Sequence, residues 1–403
     1  MATSTRRPPI ASNSSDGKRV VSVARRFFKG IRDPRARRGK RHRLTDVVLM
    51  SLMAMLCTCD NAEDIAAWTD LHKDWLQLWF DLKHGTPSQD TILRVFEALR
   101  PRALADAVKS WLSSLRPAVA GHIAIDGKTL RGSRGAAKGK TAVHLVSAWL
   151  RDAGLVLGQV KTEDKSNETT AIPELLRLLD VEGSVVSIDA AGCYRAIAKQ
   201  IVEQKGHYFL AVKDNQLTLK QDIERLFAEG NESRRRSVDE LPRPVTTQAR
   251  DTDGGHGRIE ERSATVSSDL GWLTTREEWK NLSAVVMIEA SRTSTTTGEV
   301  ETERRYYITS EATLSAERAL DLSRGHWSVE NQLHWVLDVE FREDHSRIRS
   351  RRAAENFGLL RRMALSMLKA APTPKPRMSI TQRRRYCDHR LDYLCSVLTA
   401  SPV

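Results

Sequence analysis

At Gly121 the hydrophobic pattern of this 403-residue chain changes from helical spacing to short β-branched runs, and a fixed alternation of strands and helices follows. His122-Ile-Ala-Ile-Asp126 reads as a strand, and Val143–Trp149 and Leu155–Val160 as two more, joined as a hairpin across Arg151-Asp152-Ala153-Gly154. A helix is expected at about Ile172–Leu179, with Pro173 in its first turn, where a missing N–H is tolerated. Ser184-Val-Val-Ser-Ile-Asp189 is the next strand and Tyr194–Gln204 the next helix. Tyr208–Val212 is then a strand leading into a helix from about Gln216.

The order β-β-β-α-β-α-β-α predicts an α/β domain of ribonuclease H-like type, a mixed sheet that carries a hairpin and is flanked by helices. Residues 44–118 before it read as a small all-helical domain. Thr45 or Asp46 can cap the Val47–Cys57 run, and Asn61 with Asp64 opens a helix that puts Ile65, Trp68, Trp75 and Trp79 near one face, as core. Thr86, Pro87 and Gln89 form a capping box ahead of Ile92, Val95, Phe96 and Leu99. From about 230 to 309 the text turns polar, with Thr/Ser alternation and apolar pieces such as Ala284-Val-Val-Met-Ile288, which predicts a β-rich insertion. Helical text resumes near Ser315, runs to about Asp338, and returns at about Ala353–Lys369 before Pro372, Pro374 and Pro376. The α/β domain is therefore expected over residues 119–370.

Charge is unevenly spread. Residues 1–43 hold fourteen Lys and Arg against Asp16 and Asp33, so this arm carries all but one unit of the net +13. Its Pro, Ser and Arg content is too poor in apolar groups to fold alone, so a disordered arm with polyanionic partners is expected. Arg342–Arg362 has seven Lys/Arg against three acids, and Lys375–Arg390 lies in a basic tail at 371–403. Three such clusters point to nucleic acid. The five cysteines, Cys57, Cys59, Cys193, Cys387 and Cys395, show no CxxC spacing, which suggests neither a disulfide framework nor a zinc site and fits a reducing cytoplasm. The most apolar segment, the eleven residues Val47–Cys57, is well short of the roughly 20 that span a bilayer. The arm before it lacks a small-residue cleavage site and does not read as a signal peptide. No membrane partner is expected.

Asp126 and Asp189 each end an apolar strand, and an ionised carboxylate there must be solvated, paired or bound to a cation. Carboxyl ends of strands are also where ligands gather in α/β sheets. Taken singly, each aspartate is as well explained by turn chemistry, Asp126 before Gly127 and Asp189 before Ala190. A hard cation such as Mg²⁺ needs further oxygen ligands. Glu330 is a candidate, with His326, Leu333, His334 and Leu337 on its helix face. Asp338, Glu340, Glu343 and Asp344 stand close by, and spacing alone does not choose among them.

The string Arg324-Gly-His-Trp-Ser-Val-Glu330-Asn331, continued by Gln-Leu-His-Trp-Val-Leu-Asp-Val-Glu-Phe-Arg-Glu-Asp344, resembles the C-terminal signature of insertion-sequence DDE transposases of the H-repeat-associated type. Asp126-Gly-Lys-Thr-Leu-Arg131, Ile188-Asp-Ala-Ala-Gly192, Val212-Lys-Asp-Asn-Gln216 and His256-Gly-Arg-Ile-Glu260 resemble the family's other blocks in the same order. Asp33-Pro-Arg, Gly39-Lys-Arg-His42 and Pro87-Ser-Gln-Asp90 extend the likeness to about residues 30–370.

The resemblance implies that Asp126, Asp189 and Glu330, spaced by 63 and 141 residues, are the metal-binding triad of a DNA transposase. It implies Mg²⁺ as cofactor, with Mn²⁺ able to substitute, and double-stranded DNA as substrate: transposon ends for cleavage, target DNA for strand transfer. Synapsis of two ends implies a homodimer working at the nucleoid. Lys128, Arg131, His256, Arg258 and Arg324 are candidate phosphate contacts, and Trp327 is a candidate for base stacking or for core. Related transposases carry Tyr, Arg and Lys where Ser323, His326 and Leu337 stand here, so those phosphate contacts do not transfer; Arg324 and Lys213 are the substitutes. Two rival readings are a domesticated endonuclease without strand transfer and a non-catalytic DNA-binding protein of the same fold.

Overall fold

The computed structural model describes residues 22, 25–36, 40–115, 120–133, 142–162, 168–233, 246–255 and 257–399. The chain divides into two compact units, one of Met1–Ala118, Leu130–Lys140 and Val336–Val403, the other of Val119–Thr129 and Thr141–Trp335.

The first unit is helical. Its N-terminal part holds α1 (Leu44–Leu56), α2 (Ala62–Leu71), α3 (Lys73–Leu76), α4 (Gln89–Ala98) and α5 (Pro101–Leu115). Asn61 caps α2 by accepting from Asp64 N, as its sequence suggests, and Ile65, Trp68, Trp75 and Trp79 are core. Two expected caps are corrected. Ser88, not Thr86, accepts from Thr91 N at the start of α4. Neither Thr45 nor Asp46 caps α1, because Asp46 is taken by Arg25 at 2.9 Å. That ion pair and the buried Phe28 and Ile31 give residues 25–36 of the expected disordered arm a fixed place, since apolar groups in the arm find a core to enter.

The second unit is built on β1 (His122–Leu130), β2 (Val143–Leu150), β3 (Leu155–Thr162), α6 (Glu168–Leu178), β4 (Val185–Ile188), α7 (Arg195–Glu203), β5 (His207–Val212) and α8 (Leu217–Ser233). Four longer strands follow, β6 (Thr246–Gly255), β7 (Arg258–Ser267), β8 (Ala284–Ser294) and β9 (Val300–Thr309), then α9 (Ala316–Val329). The sheet order is β3-β2-β1-β4-β5-β9-β8-β7-β6. β2 and β3 form the antiparallel hairpin, while β1, β4 and β5 run parallel, the mixed ribonuclease H-like arrangement. The β-rich stretch is no separate layer: β9 pairs antiparallel with β5, from Phe209↔Thr309 to Val212↔Tyr306, so all four strands extend the sheet. Helix α9 packs on it through Ala316, Ala319, Leu320 and Leu322 against Val185, Phe209, Val286 and Tyr307.

The chain then returns to the helical unit with α10 (Trp335–Val339), α11 (Arg351–Ala370), α12 (Ile380–His389) and α13 (Leu391–Thr399). Helix α11 lies against α1, α4 and α5, and Asn356 Nδ2 donates to the carbonyls of Phe96 and Leu99 at 2.7 and 2.9 Å. Two sequence expectations change here. Residues 380–399 are helices rather than a basic tail, because Cys387, Leu394, Val397 and Leu398 are apolar groups that bury. Arg361, Arg362 and Arg384, counted among the nucleic-acid-facing charge, are each 1% exposed. Arg362 pairs with Glu343 at 2.8 Å, Arg384 donates to Met55 O at 2.8 Å and pairs with Asp60, and such buried charges need these partners. No described helix is long and apolar enough to cross a membrane.

Candidate metal centre

The parallel register of β1 and β4 ends at Ile125↔Ile188, so Asp126 and Asp189 are the next residues on two neighbouring strands; Asp189 follows the end of β4, whereas Asp126 lies mid-strand, because β1 runs on to Leu130 past the strand end that the sequence suggests. Asp189 Oδ1 accepts from Ala191 N at 3.0 Å, which fixes the turn after β4. Helix α9 opens at its C-terminal end into a π-helical turn, Glu330–His334. Such single wide turns inside α-helices recur at functional sites. Here it brings one ligand atom each of Asp126, Glu330 and His334 within 4.8 Å of one another. His334 Nδ1 lies 3.2 Å from Glu330 Oε2 and 3.4 Å from Asp126 Oδ2. Asp189 is not in that three-atom group.

Burial pushes the Asp126 carboxyl above its ordinary range, opposed by His334 and the Gly127 N–H and reinforced by the charges of Glu168 and Glu330. Burial likewise raises Asp189, with Asp126 and Glu168 adding to the effect and His326 opposing it. Glu330, exposed, goes the other way: its hydrogen bond to His334 lowers it against a smaller desolvation effect, and Lys128 helps. Carboxylates that repel one another while partly desolvated favour a bound cation over mutual protonation.

A buried polar chain ties α9 to the strands that carry the aspartates. His122 Nε2 and Ser187 Oγ are 2.7 Å apart, and Ser187 Oγ and His326 Nδ1 3.1 Å. Desolvation pushes His122 down to about 3 and His326 to about 4, so both are neutral. Gly325 makes the approach feasible, since a Cβ there would meet His122 Nδ1 at 2.4 Å. Because Ser187 is two residues before Asp189 and His326 one turn before Glu330, this chain sets the helix carrying Glu330 against the strand carrying Asp189.

Lys128 is buried on β1, within electrostatic reach of Glu330. Arg324 is held by Asp251 and, at 3.2 Å, by Asp253 of β6. Trp327 is 48% exposed, with the Arg305 guanidinium 4.8 Å from its ring centroid, so it is not core. Lys213 is exposed after β5, and Arg258 is exposed where β7 leaves its hairpin with β6. Arg131 belongs to the helical unit, where its backbone N–H donates to Asp344 Oδ1 at 3.3 Å. His256 lies outside the described residues. Of the competing acids, Asp344 is engaged with Arg131, Glu343 is buried against Arg362, and Glu340 accepts from Thr381, all within the helical unit.

Three residues near the aspartates escape sequence reasoning as site residues. His334 was legible only as a neighbour of Glu330 on a helix face, although an acid and a histidine four apart can share one ion. His144 sits in the fully buried strand β2, where only Ser147 is also polar, and a histidine in such a place needs partners, which is a usable signal. Glu168 reads as an ordinary acid in the first turn of a helix; nothing local marks it.

Residues 117–367 match the family model for the transposase DDE domain, and residues 25–112 the model for the domain associated with it. The chain is 36% identical over 366 residues to the H repeat-associated protein YhhI of Escherichia coli strain K12, covering 89% of this chain and 93% of YhhI. It is 37% identical over 346 residues to YncI of Escherichia coli O157:H7, covering 85% of this chain and 86% of YncI. A piggyBac transposase in its synaptic complex with hairpin DNA aligns over 97% of this chain and 80% of that chain at 12% identity, with a TM-score of 0.38, a likeness too distant to bear on the site. With a family model matched over more than half its length and relatives this similar along most of theirs, the chain belongs to the transposase DDE-domain family, in its H repeat-associated branch.

Proposed function

We propose that this chain cuts double-stranded DNA at the ends of an insertion sequence and transfers the freed 3′-hydroxyl ends to target DNA, working as a homodimer in the cytoplasm, at the nucleoid. The observation that carries the reading is the meeting of Asp126, Glu330 and His334 ligand atoms within 4.8 Å, on the strand beside the one that leads into Asp189. This donor set of carboxylates and one imidazole fits a divalent cation of Mg²⁺ or Mn²⁺ type. When bound, a pair of such ions makes a water or a 3′-hydroxyl a better nucleophile and stabilises the leaving oxygen of an in-line displacement.

The residues of the chain supply the rest. Asp126 and Asp189 hold fixed positions because their strands are hydrogen-bonded in register, and Glu330 is oriented by His334. Lys128, Lys213, Arg258 and Arg324, with Arg131 and His256, are assigned to the DNA backbone, and the exposed face of Trp327 to an unpaired base. The deciding experiment is cleavage of the element's own flanking DNA in Mg²⁺, followed end by end. Asp126→Asn, Asp189→Asn and Glu330→Gln are each expected to abolish cutting while DNA binding persists. Normal cutting by Glu330→Gln would remove the third ligand from the scheme.

A further inference from the structure

Glu168 begins α6 yet is only 8% exposed, an unusual place for a carboxylate at a helix start. Its Oε1 lies 2.7 Å from His144 Nε2, and His144 Nδ1 lies 2.8 Å from Thr129 Oγ1. A neutral imidazole has one N–H. If Nε2 donates it to Glu168 Oε1, Nδ1 is left to accept the Thr129 hydroxyl proton, so both ring nitrogens are partnered. Glu168 Oε2 has no hydrogen-bond partner among the described residues. The carboxylate presses on the backbone next to Asp126: a Cβ on Gly127 would sit 2.4 Å from Glu168 Oε1 and 2.9 Å from its Cδ.

We propose that Glu168 is a fourth carboxylate of the metal centre, aimed by His144 and Thr129, and that it binds divalent cation together with Asp126, Asp189 and Glu330. The inference rests on the reading of those three as metal ligands. Four carboxylates carry more negative charge than the Lys128 ammonium can balance, and keeping charge on those that are withdrawn from water, Asp126, Asp189 and Glu168, is costly unless cations enter. A pair of hard ions, each with a preference for six oxygen ligands, calls for several carboxylates besides those of the substrate. The His144 hydrogen bond fixes the orientation of one oxygen, the role that outer-shell partners take around metal-binding groups.

The test is Glu168→Gln in the full chain, which keeps the side-chain shape and an acceptor for His144. Melting temperature is measured in chelator and in excess Mn²⁺, and Mn²⁺ affinity by the loss of the free-ion spin-resonance signal, with Asp126→Asn alongside. The variant is expected to melt at or above wild type in chelator, because a repelling charge is gone. It should bind Mn²⁺ at least tenfold more weakly and show a smaller metal-induced rise in melting temperature. Wild-type Mn²⁺ affinity with a lower melting temperature in chelator would overturn the proposal and leave Glu168 as a structural tie. If Asp126→Asn loses Mn²⁺ and Glu168→Gln does not, only this inference falls; if both bind Mn²⁺ normally, the metal reading of the triad falls with it. Should Glu168→Gln not fold, Thr129→Val is expected to weaken Mn²⁺ binding several-fold with unchanged melting in chelator, and wild-type affinity there counts against the proposal.

Discussion

Gly127→Ala is the smallest change that probes how tightly the centre is packed. A methyl group at this position would lie 2.4 Å from Glu168 Oε1 and 2.5 Å from His144 Nε2, closer than real contacts allow. Neither obstacle is loose, since the two atoms are bonded to each other at 2.7 Å. Either the His144–Glu168 hydrogen bond breaks or β1 shifts and carries Asp126 with it. Overpacking of this kind costs about 1–3 kcal/mol, and losing a hydrogen bond to a charged group about 1.5–3 kcal/mol. The alanine returns only about 0.4–1 kcal/mol through a less flexible unfolded chain. These contributions overlap, so a net loss of about 2–4 kcal/mol is expected in urea unfolding of the full chain. Cleavage should fall at least tenfold, because a displacement of about 1 Å at a reacting centre can cost ~100-fold. The same substitution in a Glu168→Ala background, where one of the two obstacles is gone and His144 has lost the partner that holds it, should cost at least about 1 kcal/mol less, as expected for residues in contact. A loss that is identical in the two backgrounds would refute the packing argument.

Three other outcomes are expected. Mg²⁺ or Mn²⁺ should support cleavage, whereas Ca²⁺, with longer and looser coordination, should permit DNA binding with little cutting; cleavage that persists under full chelation would exclude the metal scheme. Deleting residues 1–21 removes Arg6, Arg7, Lys18 and Arg19 against Asp16. It should flatten the log-log salt dependence of DNA binding by about 0.9 for each phosphate no longer neutralised, and retained preference for the transposon end over random DNA would separate affinity from specificity. His326, held near 4 in the fold against 6.5 when unfolded, is neutral only in the native state over that interval, so its contribution is complete above pH 6.5 and is lost as pH falls toward 4. Up to about 3 kcal/mol is at stake. Asp126 and Asp189, raised in the fold, act in the opposite sense, so His326→Asn compared with wild type in acid titrations of stability isolates the histidine; unchanged acid sensitivity would refute its assignment.

The strands that carry the aspartates were legible because apolar β-branched runs of four or five residues between turn signals have few other uses, and Val185–Ile188 appears where Ser184–Asp189 is read. The pairing of β9 with β5 was not, since it joins segments about a hundred residues apart and no local period encodes a partner. The π turn at Glu330–His334 was hidden for a related reason: local text there is good helix, and the extra residue in the turn is set by what lies against it. Glu168 and His144 show the limit most clearly. Each is ordinary in its own segment, and their significance comes from a 2.7 Å contact between a strand and a helix that the hairpin and α6 bring together.

Charge was the least reliable guide of all, and the reason bears on where DNA is held. Arg361, Arg362 and Arg384 look in sequence like part of two basic clusters, but their guanidiniums lie inside the helical unit against Glu343, Asp60 and backbone carbonyls. A long apolar stem and a planar donor fork suit arginine to such interior work, so a count of basic residues overstates the charge a helix offers to solvent. Removing these from the tally leaves residues 1–43 with the largest excess of positive charge, fourteen Lys and Arg against two acids. Even there Arg25 and Arg35 are spent on Asp46 and Asp33 at 2.9 and 2.8 Å. Of the arm's remaining basic residues, Arg26, Lys29 and Arg43 line a groove of about 810 Å³ together with Leu78 and Trp79. On the proposed function, phosphates bound there would be gripped without reading sequence, and recognition of a transposon end would fall to other surfaces of the chain.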